Sequence, residues 1–187
     1  MGLTDWLWRG FSLADAVVTR RLEKLWITTP WLNALMIIAA KYTPIVMLAI
    51  LVIAAANIVE VTTAEVSFVS VASSIVAALL IRALHEPVSR LTNRPRPFDT
   101  EPFEPLLEHE RGESFPSNHA GGSMALACGA LHLPFYPWLL LVLAILLCFS
   151  RIYCGLHHLS DVLVGALGGA TCGVVCAFAG YAVVAHA

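Results

Sequence analysis

Two long stretches of the 187-residue chain contain no Asp, Glu, Lys or Arg: His119 to Ser150, and Val162 to Ala187. Crossing a hydrocarbon core takes about 20 apolar helical residues, and stretches of this length and character meet that requirement. The first is broken at Leu133-Pro134-Phe135-Tyr136-Pro137, a turn signal whose aromatic rings favour headgroup depth. It reads as two short spans joined by a tight loop. The rest of the chain agrees: 58% of residues are hydrophobic and 13% charged, against about 25% charged in a soluble domain. So little polar surface cannot cover the chain in water, and lipid is its expected solvent. The net charge of −2 names no partner and implies no nucleic acid.

Further spans are expected at 36–58 and 65–84, followed by 119–133, 137–153 and 160–184. The expected fold is an all-α integral membrane helix bundle of five spans. A sixth is the alternative if residues 11–40 make an extra crossing, which would place the basic N-terminal residues inside. Residues 1–35 mix apolar positions with Arg20, Arg21, Glu23 and Lys24, and carry Trp6, Trp8, Trp26 and Trp31. This composition suits a helix lying in the membrane interface. The segment 85–118 holds six of the ten prolines and seven of the thirteen acids. Its backbone would go unsatisfied in lipid, so it is expected as an extramembrane loop. Without repeats or linkers, residues 1–187 read as one domain, with the transmembrane core at 36–184. Cys128, Cys148, Cys154, Cys172 and Cys176 form no CxxC pair and read as small buried hydrophobes. No secretory cleavage signal or myristoylation motif is apparent at Met1-Gly2-Leu3, so membrane association is expected from the spans themselves. Gly165, Gly169 and Gly173 share one face of the last span. That face serves close packing within the bundle or, alternatively, the seam of a homodimer.

With five spans, the loops 85–118 and 151–160 fall on the same side of the membrane. Between them they hold almost every residue with chemical potential: Arg94, Arg96, Ser117, Asn118, His119, Arg151, His157, His158 and Asp161. His157 and Asp161 are one helical turn apart, and a carboxylate beside an imidazole fixes its tautomer and stabilises the cation formed on attack. A surface His–Asp pair at a helix end is the plainer alternative. Ser117 is an N-cap candidate, and the free amides of a helix start form a phosphate cradle. His119, in the first turn, is placed to donate a proton to a departing oxygen. Arg94 and Arg96 are held between prolines, and arginine grips phosphate oxygens bidentately. Arg151, near the membrane surface, calls for an anion.

These motifs resemble the membrane-bound type 2 phosphatidic acid phosphatase superfamily, which shares its core with the vanadium-dependent haloperoxidases. The third family motif, Ser-Arg-x5-His-x3-Asp, is matched from Ser150 to Asp161. The second, Pro-Ser-Gly-His, appears as Pro116-Ser117-Asn118-His119, and the first, Lys-x6-Arg-Pro, ends at Arg96-Pro97. Asn118 replaces a glycine, and the lysine position is Ser89, with Arg90 beside it. The resemblance implies that His157 attacks phosphorus, Asp161 orients it and His119 protonates the leaving oxygen. Arg96, Arg151, Ser117, the Asn118 amide and, with the lysine missing, Arg94 and Arg90 would hold the phosphate. No metal or cofactor is implied. Within the superfamily, the short chain and the runs Ser114–His119 and Phe149–Arg151 look most like bacterial undecaprenyl pyrophosphate phosphatases, which act on the outer face of the cytoplasmic membrane in cell-wall lipid carrier recycling. Phosphatidylglycerophosphate or phosphatidate is the alternative substrate. Readings of a different class are a metal-ion transporter using His119, His157, His158 and Asp161, and a non-catalytic lipid-binding membrane protein.

Overall fold

The computed structural model describes residues 3–56, 62–108 and 112–186, with side chains from Ser12 onward. The interfacial tryptophans Trp6 and Trp8 and the charged Glu110 and Arg111 lie outside the described side chains. Helices α1 (Leu3–Thr28), α2 (Pro30–Ala55), α3 (Ala64–Thr92), α4 (Pro97–Thr100), α5 (Asn118–Gly129), α6 (Tyr136–Tyr153) and α7 (Leu159–Ala185) follow in order. Among the described residues, four of these segments are long and apolar enough to cross a membrane: α2, α3 with its continuation, α6 and α7. The fifth expected span, α5, is a 12-residue helix, about 18 Å long. It sits inside the bundle, packed by α3, α6 and α7. Helix α1, which overlaps the alternative extra crossing at 11–40, is not among the span-capable helices found in the described residues.

Local chemistry explains most boundaries. Pro30 stands at the start of α2, where its missing N–H costs nothing. The Thr63 hydroxyl caps α3 by accepting from Val66 N at 3.3 Å. One boundary differs from the sequence expectation: α3 runs through Pro87 to Thr92 and stops at Asn93, whose φ of +41° closes the helix in the left-handed region. Pro87 removes one backbone hydrogen bond without ending the helix, so residues 85–92 of the expected loop belong to α3, and 93–117 connect α3 to α5. Gly155, at φ +74°, turns the chain between α6 and α7 in a geometry that an L side chain rarely adopts. A Cβ there would also strike the rings of Phe103 and Trp26.

The bundle is built around the contact of α5 with α7. A Cβ at Gly165 would sit 2.5 Å from Ser117 O, one at Gly169 would enter the backbone of Gly121, and one at Gly173 would meet Ala125 O at 2.8 Å. The glycine face is therefore taken up inside the bundle and is not available as a seam between chains. Between helices in lipid, such small-residue contact takes the place of hydrophobic driving force. Ser67, Ser70, Ser73 and Ser74 are buried along the inner side of α3, and Ser74 lies against Gly129 of α5. The outside is apolar: Ile45, Val52, Phe68, Leu79, Trp138, Val142, Leu167 and Val175 are all more than half exposed. A surface of that kind suits hydrocarbon rather than water. Cys154 and Cys172 are buried and Cys128, Cys148 and Cys176 half-buried, all as free thiols.

Candidate active site

Five chain segments converge at one end of the bundle: α1, the loop 93–117, the start of α5, the end of α6 and the start of α7. His157 sits in the short α6–α7 connection and is buried. Its Nδ1 is 2.9 Å from the carbonyl of Ser114, and its Nε2 is 3.2 Å from Nη1 of Arg96. A carbonyl can only accept and a guanidinium can only donate. The proton is therefore on Nδ1, and the lone pair of Nε2 faces the arginines. Burial drives the imidazole pKa down to about 4; Asp161 opposes this, while the charges of Arg96 and Arg151 add to it. His157 is a neutral imidazole at pH 7 with its nucleophilic nitrogen turned toward positive charge.

The partner that fixes the tautomer is the Ser114 carbonyl. The Asp161 carboxylate lies farther off, with Oδ2 3.8 Å from Nδ1. Asp161 is fully buried and held from several sides. Its Oδ2 accepts from the Ser114 hydroxyl and, at 2.9 Å, from the amide of His158, the α7 N-cap residue. Its Oδ1 takes Nη1 of Arg94 at 2.5 Å.

Arg96 and Arg151 have a different environment. Both are buried, at 8% and 2% exposure. Nη1 of Arg96 also donates to Leu156 O at 2.9 Å. Arg96 Nε and Arg151 Nε and Nη2 are buried with no hydrogen-bond partner among the described residues. A buried guanidinium with unmet donors is costly, and an anion seated beside His157 Nε2 would meet them. The same positive charge argues physically against a cation site here, and among the described residues no group of three His, Cys, Asp or Glu is placed to hold a metal ion.

Ser117 is buried and caps α5; its Oγ accepts from Ala120 N at 3.5 Å and its own amide donates to Asp161 O at 3.0 Å. Asn118 opens the helix, and its Oδ1 accepts from Nδ1 of His85 at 3.2 Å. His119 lies on the exposed side of that first turn. It helps line a cavity of about 160 Å³ whose other walls are Pro44, Met47, Ala78, Asn118, Gly122, Ser123, Leu126 and Leu147.

Two sequence candidates are not turned toward His157. Arg90 is on the exposed face of α3, paired with Glu86 at 2.6 Å, because the helix continues past Ser89 and turns it away. Arg94 reaches the cluster, but its guanidinium is spent on Asp161 and, at 2.7 Å, on Asp15. Sequence reasoning missed Asp15, Ser114 and His85. Asp15 and His85 carried no motif, and Ser114 acts partly through a backbone carbonyl that no side-chain pattern reveals.

The PAP2 superfamily model matches residues 46–183. A Bacillus licheniformis protein named bacitracin transport permease protein BcrC is 36% identical over 100 residues, which are 51% of this chain and 48% of that protein. Bacillus subtilis undecaprenyl-diphosphatase BcrC is 34% identical over 89 residues, 47% of this chain and 45% of that protein. The chain thus spans about half the length of the curated relatives it matches. Among solved structures, Aquifex aeolicus LpxE aligns with a TM-score of 0.64 at 26% identity, covering 79% of this chain and 86% of that one. A transmembrane PAP2-type phosphatidylglycerolphosphate phosphatase from Bacillus subtilis aligns with a TM-score of 0.66 at 25% identity, covering 94% and 86%.

Proposed function

The chain belongs to the PAP2 superfamily, and from that premise we propose that it is a membrane phosphatase cleaving a lipid phosphate or diphosphate through a phosphohistidine. The observation that carries the proposal is the Nε2 lone pair of His157 against Nη1 of Arg96, in a cluster where Nε of Arg96 and Nε and Nη2 of Arg151 are buried without a partner among the described residues. Nε2 attacks phosphorus as the bond to the lipid-side oxygen breaks. His119 supplies that oxygen with a proton. His119 then takes a proton from water, whose oxygen attacks phosphorus and releases inorganic phosphate and free His157. Charge gathers on the phosphoryl oxygens during both transfers. Arg96, Arg151, Ser117 and the Asn118 amide are the fixed donors placed to stabilise it. The imidazolium formed on attack keeps its Nδ1 proton on Ser114 O, with the Asp161 charge 3.8 Å away. No step is routed through a metal.

Undecaprenyl pyrophosphate is the substrate favoured by the relative named undecaprenyl-diphosphatase. The apolar pocket beside His119 supports a long hydrocarbon leaving group. The active site is proposed to face the outer side of the bacterial cytoplasmic membrane. The test is phosphate release from undecaprenyl pyrophosphate by purified protein in detergent with excess EDTA, beside His157→Ala. Release by the parent and none by the variant supports the reading. No release from this lipid, with turnover of phosphatidate or phosphatidylglycerophosphate, would replace the substrate and keep the mechanism.

A further inference from the structure

From Ser12 onward helix α1 is amphipathic, and its inward face carries a carboxylate, Asp15. Val18 and Leu22 pack on the buried cluster of Ala120, Ile152 and Val162, and Trp26 Nε1 donates to Tyr153 O at 2.9 Å. On the other side Leu13 and Val17 are exposed. These contacts lay α1 across the end of the bundle that carries the site. Asp15, 2% exposed, points from it into the polar cluster and has no role in the chemistry described above.

Its three contacts are specific. Oδ1 accepts from the amide of Ser160 at 2.9 Å, which is a first-turn donor of α7 that would otherwise lack a partner. Oδ2 accepts from the Ser160 hydroxyl at 2.6 Å and from Arg94 Nη2 at 2.7 Å. Arg94 in turn places Nη1 on Asp161 Oδ1 at 2.5 Å and on Ser160 Oγ at 2.7 Å. One guanidinium fork therefore joins two buried carboxylates, and the second of them stands beside His157.

We propose that Asp15 is a positioning residue for catalysis: through Arg94 and the α7 start it sets the place and effective charge of Asp161, making α1 a working part of the site. Without the Asp15 charge, Arg94 has one carboxylate to satisfy it instead of two and draws more heavily on Asp161. Less of the Asp161 charge is then left for the imidazolium that forms on His157. The effect falls on the transition state, where that cation develops, and not on the phosphate-holding arginines. This inference rests on His157 being the nucleophile.

The test uses the full chain in detergent with undecaprenyl pyrophosphate, reading kcat, KM and the thermal midpoint for the parent, Asp15→Asn, Arg94→Lys and His157→Ala. Asp15→Asn keeps the shape and removes the charge. A tenfold or greater fall in kcat is expected, about the loss typical of partners that orient a working group. KM should stay within about twofold, because the anion-holding groups are untouched. Arg94→Lys keeps the charge but cannot fork to both carboxylates, and is expected to lose kcat in the same way. It decides the matter if Asp15→Asn does not fold. A folded Asp15→Asn with parental kcat overturns the proposal, as does a lowered thermal midpoint with unchanged kcat per folded molecule. Parental activity in His157→Ala would instead overturn the nucleophile assignment, whatever Asp15→Asn does.

Discussion

Acid should reveal His157 twice, once in its own titration and once in the stability of the protein. Its pKa is lowered from 6.5 to about 4, chiefly by burial. At pH 5.5 an ordinary histidine is about 90% cationic, whereas one with this pKa is only about 3% cationic. The Nε2 lone pair therefore stays available well into acid. The unfolded chain binds this proton near pH 6.5 and the folded one only near 4, so between those values the unfolded state takes up more protons. Stability is accordingly unaffected by this group above about pH 6.5 and falls as the pH drops from there toward 4. The full difference is roughly 3 kcal/mol. Histidine-labelled protein followed by NMR, with the resonance assigned through His157→Gln, gives the titration directly and without interference from substrate ionisation. Thermal midpoints of both proteins across the same range give the linkage, and the variant should lose that part of the slope. An inflection of His157 near 6.5, or an equal acid slope in His157→Gln, would refute the argument from burial.

Replacing Gly169 with Ala should lower stability by about 1–3 kcal/mol, toward the upper end because the obstacle is the Gly121 backbone. Gly122→Ala, which meets nothing within 4 Å, is the control, and thermal unfolding in detergent compares them. Arg151→Lys should cost about 100-fold in kcat/KM, since an ammonium cannot present the planar pair of donors that the buried guanidinium turns toward the anion. Steady-state phosphate release measures it, and a loss under about threefold would remove Arg151 from the site. Arg90→Ala should leave KM within about twofold and stability within about 0.5 kcal/mol, because its pair with Glu86 is exposed. A tenfold rise in KM would show that Arg90 reaches the phosphate after all.

What was legible in the sequence is what short-range geometry dictates. The two charge-free runs located α6 and α7, and the four-residue glycine spacing marked the α7 face that meets α5. The four-residue spacing did bring Asp161 to 3.8 Å from His157, although His157 precedes α7 rather than sharing a helical turn with it, and a serine before an apolar run marked the cap of α5. The failures share a cause, which is that side-chain direction depends on where a helix stops. Ser89 and Arg90 are neighbours in sequence, but α3 continues past them and separates their faces by about 100°. Arg94 and Arg96 are two apart, and α4 begins immediately after Arg96. One fork therefore meets carboxylates and the other meets His157. Asp15 was beyond reach because its amide partner Ser160 is 145 residues away and only tertiary packing brings α1 there.

The three arginines that reach the site divide the work by how fully each is neutralised. Arg94 lies between two carboxylates and contributes order. Its positive charge is already answered, so it offers little to a phosphate. Arg96 and Arg151 carry buried N–H groups without a hydrogen-bond partner among the described residues, a cost that a bound anion would relieve. On the proposed function, that unmet hydrogen-bonding capacity is part of the attraction for a phosphoryl group. Arg96 adds one more consequence. Its Nη1 lies 3.2 Å from Nε2 of His157, and a phosphate oxygen is a stronger, charged acceptor for such a donor. On the proposed mechanism, a phosphoryl group entering the site would draw that N–H away and uncover Nε2 as phosphorus comes within reach. The anion held by Arg96 would then also be what releases the nucleophile, a role that suits an imidazole of low pKa because it has no proton to shed first.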